Sequence, residues 1–244
     1  MIKTKAVLLV GGLGTRLRSV APSTPKPIVQ VGNASFLELI VEQLKHNRIV
    51  DLVMCTGYLG EQIEAKFRDG REHGVKIAYS HELEPLGTGG AIKYAERLIE
   101  GAQHFIVMNG DSFLQVDFVE LIKFHNMQDR LVTMTVVKAE NCARYGTVII
   151  NSDGKVQEFI EKSGDEVPGL VSAGVYVFRR DVLDRLPEGK SSLEKDLFPK
   201  LLGSGGIYAF QQQGMFIDIG TPEDYARAQQ IYNELRAAAS QVVS

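Results

Sequence analysis

There is no tryptophan in these 244 residues, and there are only two cysteines, Cys55 and Cys142. Two isolated thiols make neither a metal-binding nor a redox spacing, which leaves a reduced compartment, the cytoplasm, as the expected location. Long hydrophobic runs are missing as well. No apolar stretch reaches the ~18 residues of a membrane-spanning helix, and no signal-peptide pattern precedes the first strand, so no membrane association is expected. Positive charge is not in excess: 27 Lys and Arg against 30 Asp and Glu give a net charge of −3. That balance argues against a nucleic-acid partner, and cations used on phosphates must be placed locally. A nucleophilic triad is absent too. His46, His73, His81, His104 and His125 are scattered along the chain and read as structural or surface residues. Internal repeats and low-complexity linkers are also lacking.

What is present is the composition of an ordinary globular chain, 44% hydrophobic, long enough to bury a sizeable core in one domain. Strand patterns at Ala6–Val10, Leu52–Thr56, Lys76–Ser80, Phe105–Met108 and Val132–Val137 alternate with helical patterns at Phe36–Lys45, Glu61–Arg68, Ala91–Ile99 and Phe118–Asn126. Several of these strands are short continuous apolar runs, as expected for strands covered on both faces. Ser35 and Glu38 form a plausible capping box for the first helix. The fold class is α/β: an open, mostly parallel, Rossmann-like sheet with helices on both faces. After Thr147 the rhythm changes to Val148–Ile150, Val156–Ile160 and Val171–Phe178, with an Asp153-Gly154 turn between the first two, which suggests a smaller β-rich lobe. Met215–Ile219 returns to an apolar run, and Thr221-Pro222-Glu223-Asp224 carries the signals of a helix start. The reading is therefore one domain over 1–244, with a core at 1–140, a lobe at 141–214, and a return strand and last helix at 215–244. The tail after Arg236 is expected to fray.

In such sheets ligands gather at the carboxyl ends of the strands. Four segments should meet there. The first is "GGLGTRL", Gly11–Leu17, followed by Lys26 between two prolines. Gly11, Gly12 and Gly14 let backbone approach a ligand, Arg16 offers a planar donor fork and Lys26 a point charge, so a polyphosphate is the suspected ligand. The loop is not a P-loop, because no Lys-Ser/Thr pair follows its last glycine, and it is not a dinucleotide fingerprint, because Leu17 stands where the third glycine belongs. By itself it reads equally as a turn with a solvated arginine. The second segment is "EPLGTGGAI" from Glu84, and the third is "VMNGDS", ending an apolar strand at Asn109-Gly110-Asp111. The fourth is "FIDIG", where Asp218 interrupts an apolar run. Asp111 and Asp218 each read alone as a turn or buried hydrogen-bonding acid, but together they offer two carboxylates to a hard cation.

Taken in order, "GGLGTRL…TPKP", "EPLGTGG", "NGD", "FIEK" and "IDIGTPEDY" resemble the sugar-1-phosphate nucleotidyltransferases across nearly the whole chain. The likeness is greatest to the short enzymes that activate D-glycero-α-D-manno-heptose 1-phosphate with GTP. Mannose-1-phosphate guanylyltransferases and N-acetylmuramate 1-phosphate uridylyltransferases follow. The resemblance implies transfer of a nucleoside monophosphate from an NTP, GTP foremost, to a sugar 1-phosphate, releasing pyrophosphate and giving a nucleotide sugar for surface polysaccharide. It implies that Gly11, Gly12, Gly14 and Thr15 wrap the nucleotide, with Asn109 beside them, and that Arg16 and Lys26 hold its phosphates. Asp111 and Asp218 match the family's Mg²⁺ ligands. Glu84, with Gly87 and Thr88, leads the base loop, and a carboxylate there suits the paired N–H donors of guanine.

On the sugar side, Gly146, Glu161, Lys162, Ser172 and Gly174 correspond to sugar- and phosphate-binding positions, Ser172 standing where the family often has Asn. The lobe at 141–214 is then the sugar-binding one. Taken alone, Glu161-Lys162 is a solvated charge pair, and "SSLEKDLF" from Ser191 is equally a capped amphipathic helix or a segment shared with the heptose and muramate branches. A non-catalytic nucleotide-binding subunit of the same fold is the reading from a different class. It would be expected to lose one of Arg16, Lys26, Asp111 or Asp218, and all four are present. The sequence leaves the oligomeric state open, a homodimer among the alternatives.

Overall fold

The computed structural model describes residues 4–17, 19–127, 130–161, 164 and 166–241. The apolar runs near the start form a parallel sheet core: β1 (Lys5–Leu9), β4 (Asp51–Thr56), β5 (Lys76–His81) and β6 (His104–Asn109), after a small hairpin of β2 (Gln30–Val31) and β3 (Ala34–Ser35). β1 pairs in parallel with β4 on one side and β6 on the other, Val7 lying level with Val53 and Val107. Side chains along β1 alternate between two cores. Ala6 and Leu8 pack with α1 (Phe36–His46) and α2 (Gly60–Phe67). Val7 packs with α3 (Gly87–Tyr94) and α4 (Glu96–Ile99). Both faces are covered, and that is why these strands are apolar at consecutive positions.

α1 starts as its sequence suggests. Glu38 Oε2 accepts from the backbone N–H and the hydroxyl of Ser35, at 2.6 and 2.7 Å. The single helix expected over Ala91–Ile99 begins earlier, at Gly87, and divides at Ala95 into α3 and α4.

The β-rich part is built from β7 (Ser112–Leu114), β8 (Val132–Ala139), β9 (Gly146–Ile150), β10 (Val156–Glu161) and β11 (Gly169–Arg179), with α5 (Phe118–Asn126) between β7 and β8. After α6 (Phe198–Ser204) come β12 (Ile207–Gln211), β13 (Phe216–Asp218), α7 (Pro222–Gln230) and α8 (Tyr232–Ala239). The lobe strands do not close a sheet of their own. Among the described residues nine strands form one sheet in the order β10-β9-β11-β6-β1-β4-β5, and β8 and β12 extend it from β11. β11 runs antiparallel to β6 and to β8, so one long strand joins the parallel core to the lobe. β13 leaves the sheet and pairs with β7 alone.

The tail expected to fray after Arg236 instead remains helical to Ala239, because Leu235, Ala238 and Ala239 are buried in the same core as α1. Ser240 Oγ then donates to Glu42 Oε1 of α1 at 3.0 Å. No helix among the described residues is long and apolar enough to cross a membrane.

Phe178 of β11 is fully buried, its ring edge-on to Phe105 of β6 at 5.7 Å. Phe178→Ala is expected to cost about 3–5 kcal/mol, a truncation inside a close-packed core. Urea unfolding should show this as a lower midpoint with an unchanged slope.

Candidate active site

β1 ends where its neighbours β4 and β6 end, and the chain there turns into Gly11–Gly14. Gly14 has φ +56°, a left-handed conformation that glycine adopts without strain. A single 3₁₀ turn, Thr15–Leu17, follows, and its Leu17 is buried in the core. That anchor leaves the neighbouring Arg16 exposed. The Arg16 guanidinium has no hydrogen-bond or ion-pair partner among the described residues. Lys26 opens another short turn between Pro25 and Pro27, and its Nζ lies 2.6 Å from Asp111 Oδ2. The lysine side chain is only 10% exposed, so its charge is held against Asp111 rather than in bulk water.

Asp111 follows β6 through Gly110, whose N–H donates to the Leu9 carbonyl at 3.0 Å. The Asp111 carbonyl in turn accepts from Ile219 N–H at 3.0 Å, and Asp218 pairs with Ser112 across β13 and β7. The two acids from distant parts of the chain are thus brought to the same place. Asp218 Oδ1 accepts from Gly220 N–H at 2.5 Å. Burial, and then the charge of Asp111, push the Asp218 carboxyl up to about 6, although Lys26 and the Gly220 N–H pull the other way.

Two pockets meet at this point. One, of about 290 Å³, is lined by Gly12, Leu13, Gly14, Thr15, Arg16 and Lys26. The other, of about 150 Å³, includes Asn109, Gly146, Glu161, Ser172, Gly174 and Asp218. Arg16, Asp111 and Gly220 line both. Gly146 and Glu161 face each other across β9 and β10. The pairing of β11 with β8 is interrupted between Ser172 and Tyr176, and Gly174 in this bulge has φ +73°. A Cβ there would fall 2.7 Å from Asn109 Nδ2 and 2.8 Å from Ser112 Oγ, so the bulge packs against the end of β6. Ser172 Oγ lies 3.0 Å from the Tyr176 hydroxyl, and burial pushes the Tyr176 pKa up, which keeps that hydroxyl protonated.

Of the residues picked from the sequence, the structure gathers those of the glycine loop, both acids and the sugar-side positions, except that Gly11 lies behind the loop and lines neither pocket. Glu84, Gly87 and Thr88 also line neither. Glu84 is exposed, while Glu82, two residues earlier, is buried and accepts from Leu86 N–H at 2.8 Å. Burial raises the Glu82 carboxyl above its ordinary range. Lys162 lies outside the described residues.

Several lining residues were missed by sequence reasoning: Arg144, Tyr145, Tyr176, Glu194 and Asp224. Arg144 grips Asp224 with both terminal nitrogens, at 2.6 and 3.0 Å. This ties the loop before β9 to the first turn of α7, which Thr221 caps by accepting from Asp224 N–H at 3.2 Å. The signal was the Arg-Tyr pair immediately before Gly146. Among the described residues no group of three or more His, Cys, Asp or Glu comes together as a metal site, so Asp111 and Asp218 stand as a pair.

Comparison with known proteins decides the family. The nucleotidyl transferase family model matches residues 5–234. The chain belongs to the nucleotidyl transferase family. It is 35% identical over 231 residues to the mannose-1-phosphate guanylyltransferase catalytic subunit beta of Drosophila melanogaster, covering 94% of the chain and 63% of that protein. It therefore spans a little under two thirds of the length of that longer relative. The corresponding Dictyostelium discoideum subunit is 33% identical over 244 residues, 98% of this chain and 68% of its own. Among solved structures, HddC from Yersinia pseudotuberculosis is 34% identical with a TM-score of 0.84, covering 94% of this chain and 99% of that one, and the same protein has been solved complexed with GMP-PN.

The Arg144–Asp224 clamp makes the stability of the chain depend on pH. Burial raises the Asp224 carboxyl, but the Arg144 fork and the Thr221 hydroxyl outweigh it and hold the group below its usual 3.8. A depressed folded-state value contributes stability that is fully present above the unfolded value and lost as pH falls through the folded one. The difference in urea midpoint between the parent and Asp224→Asn should therefore be constant above about pH 5 and shrink progressively below pH 4.

Proposed function

We propose that the chain transfers GMP from GTP to a manno-configured sugar 1-phosphate, D-glycero-α-D-manno-heptose 1-phosphate first and mannose 1-phosphate second, with release of pyrophosphate. The observation that carries this is the junction of two pockets at Arg16 and Asp111, one walled by a glycine loop with two cations and the other by strand-borne carboxylates and hydroxyls. A triphosphate suits the first, because Arg16 can fork two phosphate oxygens and the loop brings backbone close. A polyhydroxylated ring suits the second, where Glu161 and Glu194 are acceptors for sugar hydroxyls. A muramate would bring its own carboxylate against the same two acids, which disfavours that alternative. The mannose-1-phosphate guanylyltransferase relatives and the GMP-PN complex of HddC support guanine as the base.

The attacking sugar-phosphate oxygen is already ionised, so the reaction needs no general base. Catalysis is the work of positioning two anions and neutralising charge as the α-phosphorus passes between them. Arg16 and Lys26 hold the triphosphate, and the end of β6 with the β11 bulge fixes the sugar side against it. Mg²⁺ fits the chemistry of Asp111 and Asp218. Two carboxylates that line one pocket are a donor set for a hard divalent cation, and Mg²⁺ commonly takes one or two carboxylates plus substrate phosphates. When bound there it would neutralise phosphate oxygens and lower the mutual repulsion of the two substrates. Lys26 meanwhile keeps Asp111 oriented toward the junction.

A panel of heptose, mannose, glucose and N-acetylmuramate 1-phosphates crossed with GTP, UTP, dTTP and ATP, read as pyrophosphate release, tests the reaction. GTP with a manno-configured sugar should give the highest kcat/KM, and UTP with the muramate winning would overturn the assignment. Asp111→Asn should lower kcat by about 10²–10³, the scale for removing one electrostatic stabiliser, with the fold intact by circular dichroism. Glu84→Gln should erode the preference for GTP, since an amide presents a donor where the N1–H and N2–H₂ of guanine need acceptors. A preference that survives the change would pass the role in base selection to another group.

A further inference from the structure

Lys26 has two claims on its single charge. It lines the glycine-loop pocket, and it is also the ion-pair partner of Asp111. Its backbone is fixed in the turn between Pro25 and Pro27, where Ile28 N–H donates to the Pro25 carbonyl at 3.0 Å and Val29 N–H to the Lys26 carbonyl at 3.3 Å. Its stem lies against the loop, since a Cβ on Gly14 would fall 3.1 Å from Lys26 Cβ. The ammonium then reaches Asp111 Oδ2 at 2.6 Å. It also stands 3.7 Å from where a Cβ on Gly220 would be, and Gly220 N–H is the donor to Asp218 Oδ1. One positive charge therefore sits beside both acids. Among the described residues, no donor is bonded to Asp111 Oδ1 or to Asp218 Oδ2.

We propose that Lys26 is a resident counter-cation that competes with a divalent cation for Asp111, so that the carboxylate pair takes up free metal only weakly while the lysine stands there. The proposal rests on the reading of Asp111 and Asp218 as the carboxylates of the Mg²⁺ site. A divalent cation coming to Asp111 Oδ2 must displace the ammonium or sit beside it, and like charges at contact distance repel. The lysine is largely buried, so salt and water screen that repulsion poorly. Mg²⁺ also gives up its water reluctantly, and a carboxylate that is already neutralised offers it little in return. The exchange becomes favourable once the ammonium has another partner. The glycine-loop pocket is within the sweep of its flexible four-carbon stem, with the backbone of the turn unmoved, and a triphosphate there would supply the oxygens. The two acids are then never left without a cation, which in a partly buried site would be costly.

The probe is Mn²⁺ alone, with free Mn²⁺ counted by electron paramagnetic resonance at fixed ionic strength and no nucleotide present. Lys26→Met and Lys26→Gln should each lower the Mn²⁺ dissociation constant about tenfold or more, because each removes the competing charge. Lys26→Arg keeps that charge and should stay close to the parent. Lys123→Met removes one positive charge from the exposed side of α5 and should change nothing. A lysine that merely braced Asp111 would give the opposite sign, its loss loosening the carboxylate and weakening the metal. Asp111→Asn added to Lys26→Met should abolish the gain. No gain in either neutral variant, both folded by circular dichroism, or an equal gain in Lys123→Met, overturns the exchange and leaves the metal reading intact. A gain that Asp111→Asn leaves untouched overturns the metal reading, and the exchange with it.

Discussion

The site depends on the pairing of two three-residue strands, Ser112–Leu114 and Phe216–Asp218. Neither belongs to the large sheet, and they come from opposite halves of the chain. Their antiparallel register, continued by Ile219 N–H to the Asp111 carbonyl, fixes where the two acids stand. Without it Asp218 would be an acid at the start of a surface helix. The pairing is kept by burial on both sides: Phe113, Leu114 and Ile217 lie in the same core as α1 and α8. A core that holds the C-terminal helices in place therefore also holds the carboxylates in place.

Charge at the site is arranged in opposition. Asp218 is half-buried and crowded by Asp111, Asp111 is held by Lys26, and Asp224 is held by Arg144. Burying one member of each pair without the other would be costly, since an unpaired buried charge loses its hydration without compensation. Arg16 is the exception, exposed on the rim of both pockets with no partner among the described residues. A cation left solvated in the free protein pays less to be recruited by a phosphate than one already buried in an ion pair.

Much of this was legible in the sequence, for identifiable reasons. The parallel core announces itself because strands covered on both faces are continuously apolar, and α1 because its cap needs Ser35 and Glu38 at fixed spacing. Asp111 and Asp218 stand out because each interrupts or ends such a run. Arg144 and Asp224 were harder: a charged pair across the fold has no local spacing, and Asp224 already had a local reason to exist at a helix start. Glu194 was hidden in a segment whose amphipathic pattern fits an ordinary helix, and the π-helical turn over Leu193–Leu197 that carries it has no simple pattern. The sheet continuity of the lobe was also invisible, because strand order is a property of pairing rather than of any one strand.

That continuity has a kinetic consequence. β11 is bonded to β6 along Val175–Arg179 and to β8 along Gly169–Ser172, and its bulge touches the end of β6 at Asn109. Both pockets are thus built against one hydrogen-bonded frame, on which the two substrates of the proposed reaction would be seated. For a reaction whose rate depends on the spacing of two anions, a displacement of about 1 Å can cost on the order of 10²-fold. For the proposed reaction strand register would then bear on rate, and drift in the twist of a single strand far from either ligand would lower turnover while leaving both affinities unchanged.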